Sequence, residues 1–160
     1  MIIKGLVDED FVNYHIPSMF IASSKCDWKC CVECGKSNDM CQNSPLYKAK
    51  SIELSAGEIF RRYASNPITH ALVIGGLEPM LQFDEVWDVI EHFRISGVND
   101  DIVIYTGYYP DEIYNKVEQL KRFTNIVIKF GRYIPNDEKH FDNVLGVYLA
   151  SKNQFAIRIS

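Results

Sequence analysis

Short, continuously apolar runs, each followed by a longer stretch with helical period, fill the middle of the chain and constrain its fold more than any other feature. Ala71 to Ile74 stops at Gly75-Gly76, and Ile102 to Tyr105 stops at Thr106-Gly107. Runs this short and this apolar read as strands buried on both faces, the pattern of a parallel sheet covered by helices. Met19 to Ser23, Asn125 to Phe130 and Phe155 to Ile159 are further strand candidates. Between them, Ser55-Ala56-Gly57-Glu58 reads as a capping box, in which hydroxyl and carboxylate each satisfy an unpaired backbone N–H at a helix start. That helix is expected to run to about Ser65, ahead of Pro67. A second spans Asp84 to Ser96 with Val86, Trp87, Ile90 and Phe93 on one face, and a third opens at Pro110 and carries Ile113, Val117 and Leu120.

A βα unit takes roughly 30 residues, so 160 residues hold about five units, short of the eight in a closed barrel. The expected fold class is therefore α/β: a single domain over residues 1–160, with a mostly parallel sheet forming an open, partial β/α barrel. Ligands in such sheets sit at the carboxyl ends of the strands. The loops after Ser23, Gly76 and Thr106 are thus expected to share one rim. The 47% hydrophobic and 24% charged residues are ordinary for a globular chain. Seventeen basic against 21 acidic residues leave a net charge of −4, which argues against a nucleic-acid or anionic-membrane partner. No apolar run is long enough to span a bilayer and no leader pattern opens the chain, so a cytoplasmic location is expected.

All five cysteines, Cys26, Cys30, Cys31, Cys34 and Cys41, fall in the loop at 24–44. Crowding of this kind needs a local cause. In a reducing compartment an odd count argues against a disulfide staple. Zinc usually takes paired CxxC knuckles or a Cys and His set, and only one CxxC is present, with no histidine nearer than His15. A thioredoxin-like dithiol is crowded by the additional thiols. A cluster held by three cysteines would leave one iron open for a ligand. In the second loop, Gly75-Gly76-Leu77-Glu78-Pro79 lets backbone approach a ligand and ends in a carboxylate suited to an ammonium group.

A cysteine loop after the first strand, joined by this GGLEP loop, resembles the radical S-adenosylmethionine (SAM) enzymes. Within them the chain is most similar to the anaerobic ribonucleoside-triphosphate reductase activating proteins. Tyr105-Thr106-Gly107-Tyr108, Lys129-Phe130-Gly131-Arg132-Tyr133, Gly146 and Ser151-Lys152-Asn153-Gln154 add to the likeness, which runs from about residue 10 to the C-terminus. The resemblance implies the partial barrel of that superfamily, a [4Fe-4S] cluster and SAM. It implies an oxidoreductase that cleaves SAM reductively to a 5'-deoxyadenosyl radical, which takes a hydrogen from a glycine of the partner reductase. The implied partners are that reductase's large subunit and an electron donor such as flavodoxin or ferredoxin. The same loops also suit a radical SAM enzyme acting on another peptide or small molecule, and a zinc-binding interaction module is a third reading.

The family spacing CxxxCxxC is absent, and two ligand sets remain. The first is Cys26, Cys30 and Cys41, with Cys31 to Met40 as an inserted excursion. The second is Cys26, Cys31 and Cys34. The first is preferred because Cys41-Gln42-Asn43 resembles the stretch at the family's last cysteine, and loop closure grows costly only logarithmically with length. The resemblance further implies cofactor contacts at Met40, Gly75, Gly76, Glu78, Thr106, Asn153 and Gln154. Thr106 could equally cap the helix near Pro110, and Asn153-Gln154 could be a plain turn. Trp28 would shield the cluster or pack, Tyr108 and Tyr109 would offer a docking surface, and the four histidines are assigned structural or surface roles.

Overall fold

In the computed structural model, which describes residues 1–160, the apolar runs become the centre of one sheet. In chain order the strands are β1 (Ile2–Asp10), β2 (Ser18–Ser23), β3 (Ile52–Glu53), β4 (Ala71–Gly76), β5 (Asp101–Tyr105), β6 (Ile126–Phe130), β7 (His140–Asp142), β8 (Val147–Leu149) and β9 (Phe155–Arg158). The helices are α1 (Lys29–Glu33), α2 (Ser44–Lys48), α3 (Ala56–Ala64), α4 (Phe83–Ile95) and α5 (Tyr114–Leu120). The main sheet has seven strands in the order β3-β1-β2-β4-β5-β6-β9, and β7 and β8 pair separately. The four central strands, β2, β4, β5 and β6, run parallel. Antiparallel pairs finish both edges, β1 with β2 and β3 on one side and β9 with β6 on the other. β3 and β9 are free edges, so the sheet is open.

The parallel part has four strands where about five units were expected. The first ten residues account for part of the difference: β1 carries Lys4, Asp8, Glu9 and Asp10, buries only Ile3 and Asp10, and returns antiparallel to β2. The stretch after β6 accounts for the rest, because it folds into a loop and the β7–β8 hairpin instead of a helix.

Alternation along the central strands explains their apolar runs. Leu72, Ile74, Ile102, Ile104, Ile126 and Ile128 face the layer formed by α3, α4 and α5. Ala71, Val73, Val103 and Val127 face the opposite side, where Tyr14, Leu145 and Leu149 cover them. A strand covered on both faces leaves few positions for a polar residue. The capping box forms as expected, with the Ser55 hydroxyl accepting from Glu58 N–H at 3.2 Å and Glu58 accepting from Ser55 N–H at 2.8 Å. The helix expected from Pro110 begins as a 3-10 turn, Pro110–Ile113, before α5. No helix is long and apolar enough to cross a membrane.

Candidate functional site

Parallel strands deliver their connecting loops to one end of the sheet, and a cavity of about 270 Å³ opens there. All four loops line it: Cys26 to Cys31 after β2, Gly76 to Glu78 after β4, Thr106 to Tyr108 after β5, and Gly131 to Tyr133 after β6. Phe20 and Tyr105 from the strands also contribute. The shared rim read from the sequence is therefore present, with β6 adding a fourth loop.

Four thiols, Cys26, Cys30, Cys31 and Cys41, face this cavity, whereas Cys34 does not line it. Cys30 and Cys31 ride on α1, a helix of five residues where the sequence suggested plain loop. Trp28 starts it in the left-handed region at φ 59° and packs edge-on against Tyr47 with ring centres 4.9 Å apart. Burial pushes the Cys26 thiol up to about 12 and raises Cys30 and Cys31 as well. At Cys30 the Tyr133 N–H and the Arg132 charge oppose that rise. Cys31 is 6% exposed and lines the cavity with Cys41. No three Cys, His, Asp or Glu side chains converge tightly enough for one ion. The four thiols line one cavity, and thiolates are ligands of iron-sulfur clusters as well as of zinc.

Glu78 is 6% exposed, and its carboxylate is held by three donors. Oε1 accepts from Met80 N–H at 3.0 Å and from the Thr106 hydroxyl at 2.7 Å, and Oε2 accepts from Gly107 N–H at 2.8 Å. Burial raises its pKa while these bonds oppose the rise. Leu77 is buried in the cavity wall, and Glu78 faces Thr106 and Gly107. Thr106 thus does not cap the helix near Pro110. Its hydroxyl orients Glu78 and accepts from Tyr108 N–H at 3.1 Å.

The remaining expected contacts divide. Gly76 and Gln154 line the cavity, but Gln154 uses its amide on the backbone, accepting from Ala150 and Ser151 N–H and donating to Gly131. Gly75 packs between Phe20 and Tyr105, where a Cβ would meet them at 3.1 and 3.2 Å. Met40 is 51% exposed and stands outside the cavity wall, as does Asn153, which donates to Tyr109 Oη and Arg132 O. No histidine lines the cavity.

Lys129 and Arg132 carry no individual role in the sequence reading, where they stand only within the Lys129–Tyr133 segment. Lys129 is buried, donates to Gly131 O at 3.0 Å, and has its ammonium pulled down to about 8 by desolvation. A lysine inside the otherwise apolar run Ile126 to Phe130 is the one signal that points to it. Arg132, 3% exposed, binds Glu33 and Glu112 together, and nothing in its local sequence announces that. Arg132 holds the Glu112 carboxyl at about 2, from an ordinary 4.5. A carboxyl lowered by folding stabilises the fold above its unfolded value and loses that contribution as pH falls through the folded one. The stability difference between wild type and Glu112→Gln is therefore expected to be full above pH 4.5 and to vanish towards pH 2. Denaturant titrations across that window check it, and a pH-independent gap would refute the ion-pair origin.

Sheet and cavity together define an open α/β domain with a thiol-lined site at the carboxyl ends of its parallel strands. The chain matches the family described as 4Fe-4S single cluster domain over residues 18–155, and it belongs to that family. Membership supports an iron-sulfur cluster as a cofactor of the chain. No curated protein and no solved structure gives a significant match.

Proposed function

We propose that the chain is a radical SAM activase that generates a glycyl radical on an anaerobic ribonucleotide reductase. The observation that carries the reading is the pairing of opposite charges in a thiol-lined cavity: Glu78 and Lys129 both face the space bounded by Cys26, Cys30 and Cys41. A cofactor bearing an amino group and a carboxylate needs one partner of each sign, and SAM has both. Cys26, Cys30 and Cys41 would hold the [4Fe-4S] cluster, Glu78 the ammonium, the Gly76 backbone the adjoining chain, and Lys129 the carboxylate. When bound, cluster and SAM supply one-electron cleavage to a 5'-deoxyadenosyl radical. The protein orients both groups and keeps water out. Tyr108 and Tyr109 at the rim would meet the reductase, with flavodoxin or ferredoxin as the reducing partner.

The test is anoxic purification, iron and sulfide analysis, and product detection after dithionite and SAM are added. Release of 5'-deoxyadenosine is expected, and a loaded protein that releases none would sink the reading. Glu78→Gln removes a charged acceptor worth about 1.5–3 kcal/mol, so SAM is expected to bind roughly 10–100-fold more weakly. Iron content should stay the same. Equilibrium binding to the loaded, unreduced protein measures this, and unchanged affinity would remove Glu78 from the SAM site.

A further inference from the structure

The helix that carries Cys30 cannot stand by itself. α1 spans five residues, Lys29–Glu33, has no side-chain cap and no acidic residue in its first turn. Helices far shorter than about 12 residues are unstable in water without tertiary support. Its support is ionic and sits at both ends. At the carboxyl end, Arg132 Nε donates to Glu33 Oε2 at 3.0 Å and Nη2 to Oε1 at 2.8 Å. At the amino end, Lys29 Nζ donates to Glu112. Glu112 in turn accepts from Arg132 Nη1 at 2.7 Å and Nη2 at 2.6 Å, and Nη1 also donates to Gly107 O. All five guanidinium N–H groups are thereby used. The guanidinium lies 5.5 Å from the Tyr108 ring centre and 5.0 Å from that of Tyr109.

We propose that Arg132 is a positioning residue: with Glu33 and Glu112 it forms a latch that pins α1 to the loops after β5 and β6, and so places the Cys30 thiol before any cofactor arrives. The thiol lies where this latch puts it. Cys30 lines the cavity together with Tyr133, the residue after Arg132. It also sits so close to Gly107, whose carbonyl Arg132 holds, that a Cβ there would meet the sulfur at 3.1 Å. Glu33 belongs to the excursion between Cys31 and Met40, so this inserted segment supplies half of the latch and is not a passive spacer. A guanidinium with two carboxylates, buried on its own side, tolerates loss of a partner poorly, because the remaining charges stay desolvated. Lysine cannot reproduce the double fork. The inference deepens the reading of Cys30 as a cluster ligand, yet it concerns the thiol alone and is tested without iron or SAM.

The experiment is site-resolved alkylation of the iron-free, reduced full chain by iodoacetamide across a pH series, with mass spectrometry of each cysteine. The rates compared are then those of the thiolate itself, and the effect of the Arg132 charge on Cys30 ionisation is removed. In Arg132→Met, Cys30 is expected to react at least tenfold faster than in wild type. Cys26, which precedes α1, should change less than twofold. Arg132→Lys should give an intermediate Cys30 rate, a graded rescue that a general loosening of the fold would not produce. A folded Arg132→Met chain with an unchanged Cys30 rate, or with all five thiols accelerated alike, overturns the proposal. Should that variant fail to fold, Glu112→Gln and Glu33→Gln decide, because each removes one arm only. Each is expected to speed Cys30 several-fold, and no change in either would refute the latch. Failure here leaves SAM cleavage untouched, and failure to cleave SAM leaves the latch intact.

Discussion

Alanine at Cys26, Cys30 or Cys41 is expected to bring iron from about four per reconstituted chain to near zero, with loss of the brown colour. Alanine at Cys34 should leave both unchanged. The contrast rests on placement. Cys26, Cys30 and Cys41 share the cavity with Glu78, whereas Cys34 caps the end of α1 and does not line the cavity. Cys31 is the demanding case, since it also lines the cavity. With three ligands filled by its neighbours, Cys31→Ala should retain the iron and alter only the rate of loading. Loading must expel protons from buried thiols, for burial has raised Cys26, Cys30 and Cys31 above their ordinary range. Reconstitution under strict anoxia, with iron and sulfide analysis, decides the matter. If Cys31→Ala and Cys34→Ala lose iron while Cys30→Ala keeps it, the ligand set is Cys26, Cys31 and Cys34 instead.

How much of the fold is legible in the sequence depends on how burial shapes a pattern. Ala71 to Ile74 and Ile102 to Tyr105 are legible because strands covered on both faces are apolar throughout, and the glycines that stop them mark the rim. Ser55 and Glu58 are legible because a capping box is satisfied within four residues. β1 is not, because its exposed face carries the charges of a loop and its partner β2 is contributed by a later segment. The same reason hides Arg132. Its partners Glu33 and Glu112 lie 99 and 20 residues away, and only the crossing of three loops brings them together. Lys129 is visible as an anomaly in an apolar strand, but its role depends on which face of β6 looks into the cavity. Local satisfaction is written locally, while a site assembled at a rim is written in the topology.

Gly76→Ala is expected to lower stability by about 2–5 kcal/mol. Two independent effects combine. Gly76 ends β4 at φ +81°, a left-handed conformation that a side chain disfavours by about 1–2 kcal/mol. A Cβ there would also stand 2.9 Å from both Ala22 Cα and Cβ and 3.0 Å from Leu46 Cδ2. Neither Ala22 atom can swing away, since β2 is locked to β4 through Ala22 and Gly75. Overpacking of that kind adds about 1–3 kcal/mol. Gly97 supplies the control, with φ +83° and nothing within 4 Å of its Cβ position. Gly97→Ala is thus expected to show the backbone effect alone. For a chain of this size each kcal/mol shifts the melting temperature by about 2–4 °C, so Gly76→Ala should melt roughly 5–15 °C lower and Gly97→Ala only a few degrees lower. The difference between them measures the close approach. It has a functional counterpart, because the Gly76 carbonyl accepts from the Asn43 side chain, two residues beyond Cys41. Pushing β4 away from β2 moves the anchor of the cysteine loop, so Gly76→Ala should also impair iron loading while Gly97→Ala leaves it whole. Equal melting temperatures for the two variants would show that β2 yields to the added methyl and that the rim is softer than this packing implies.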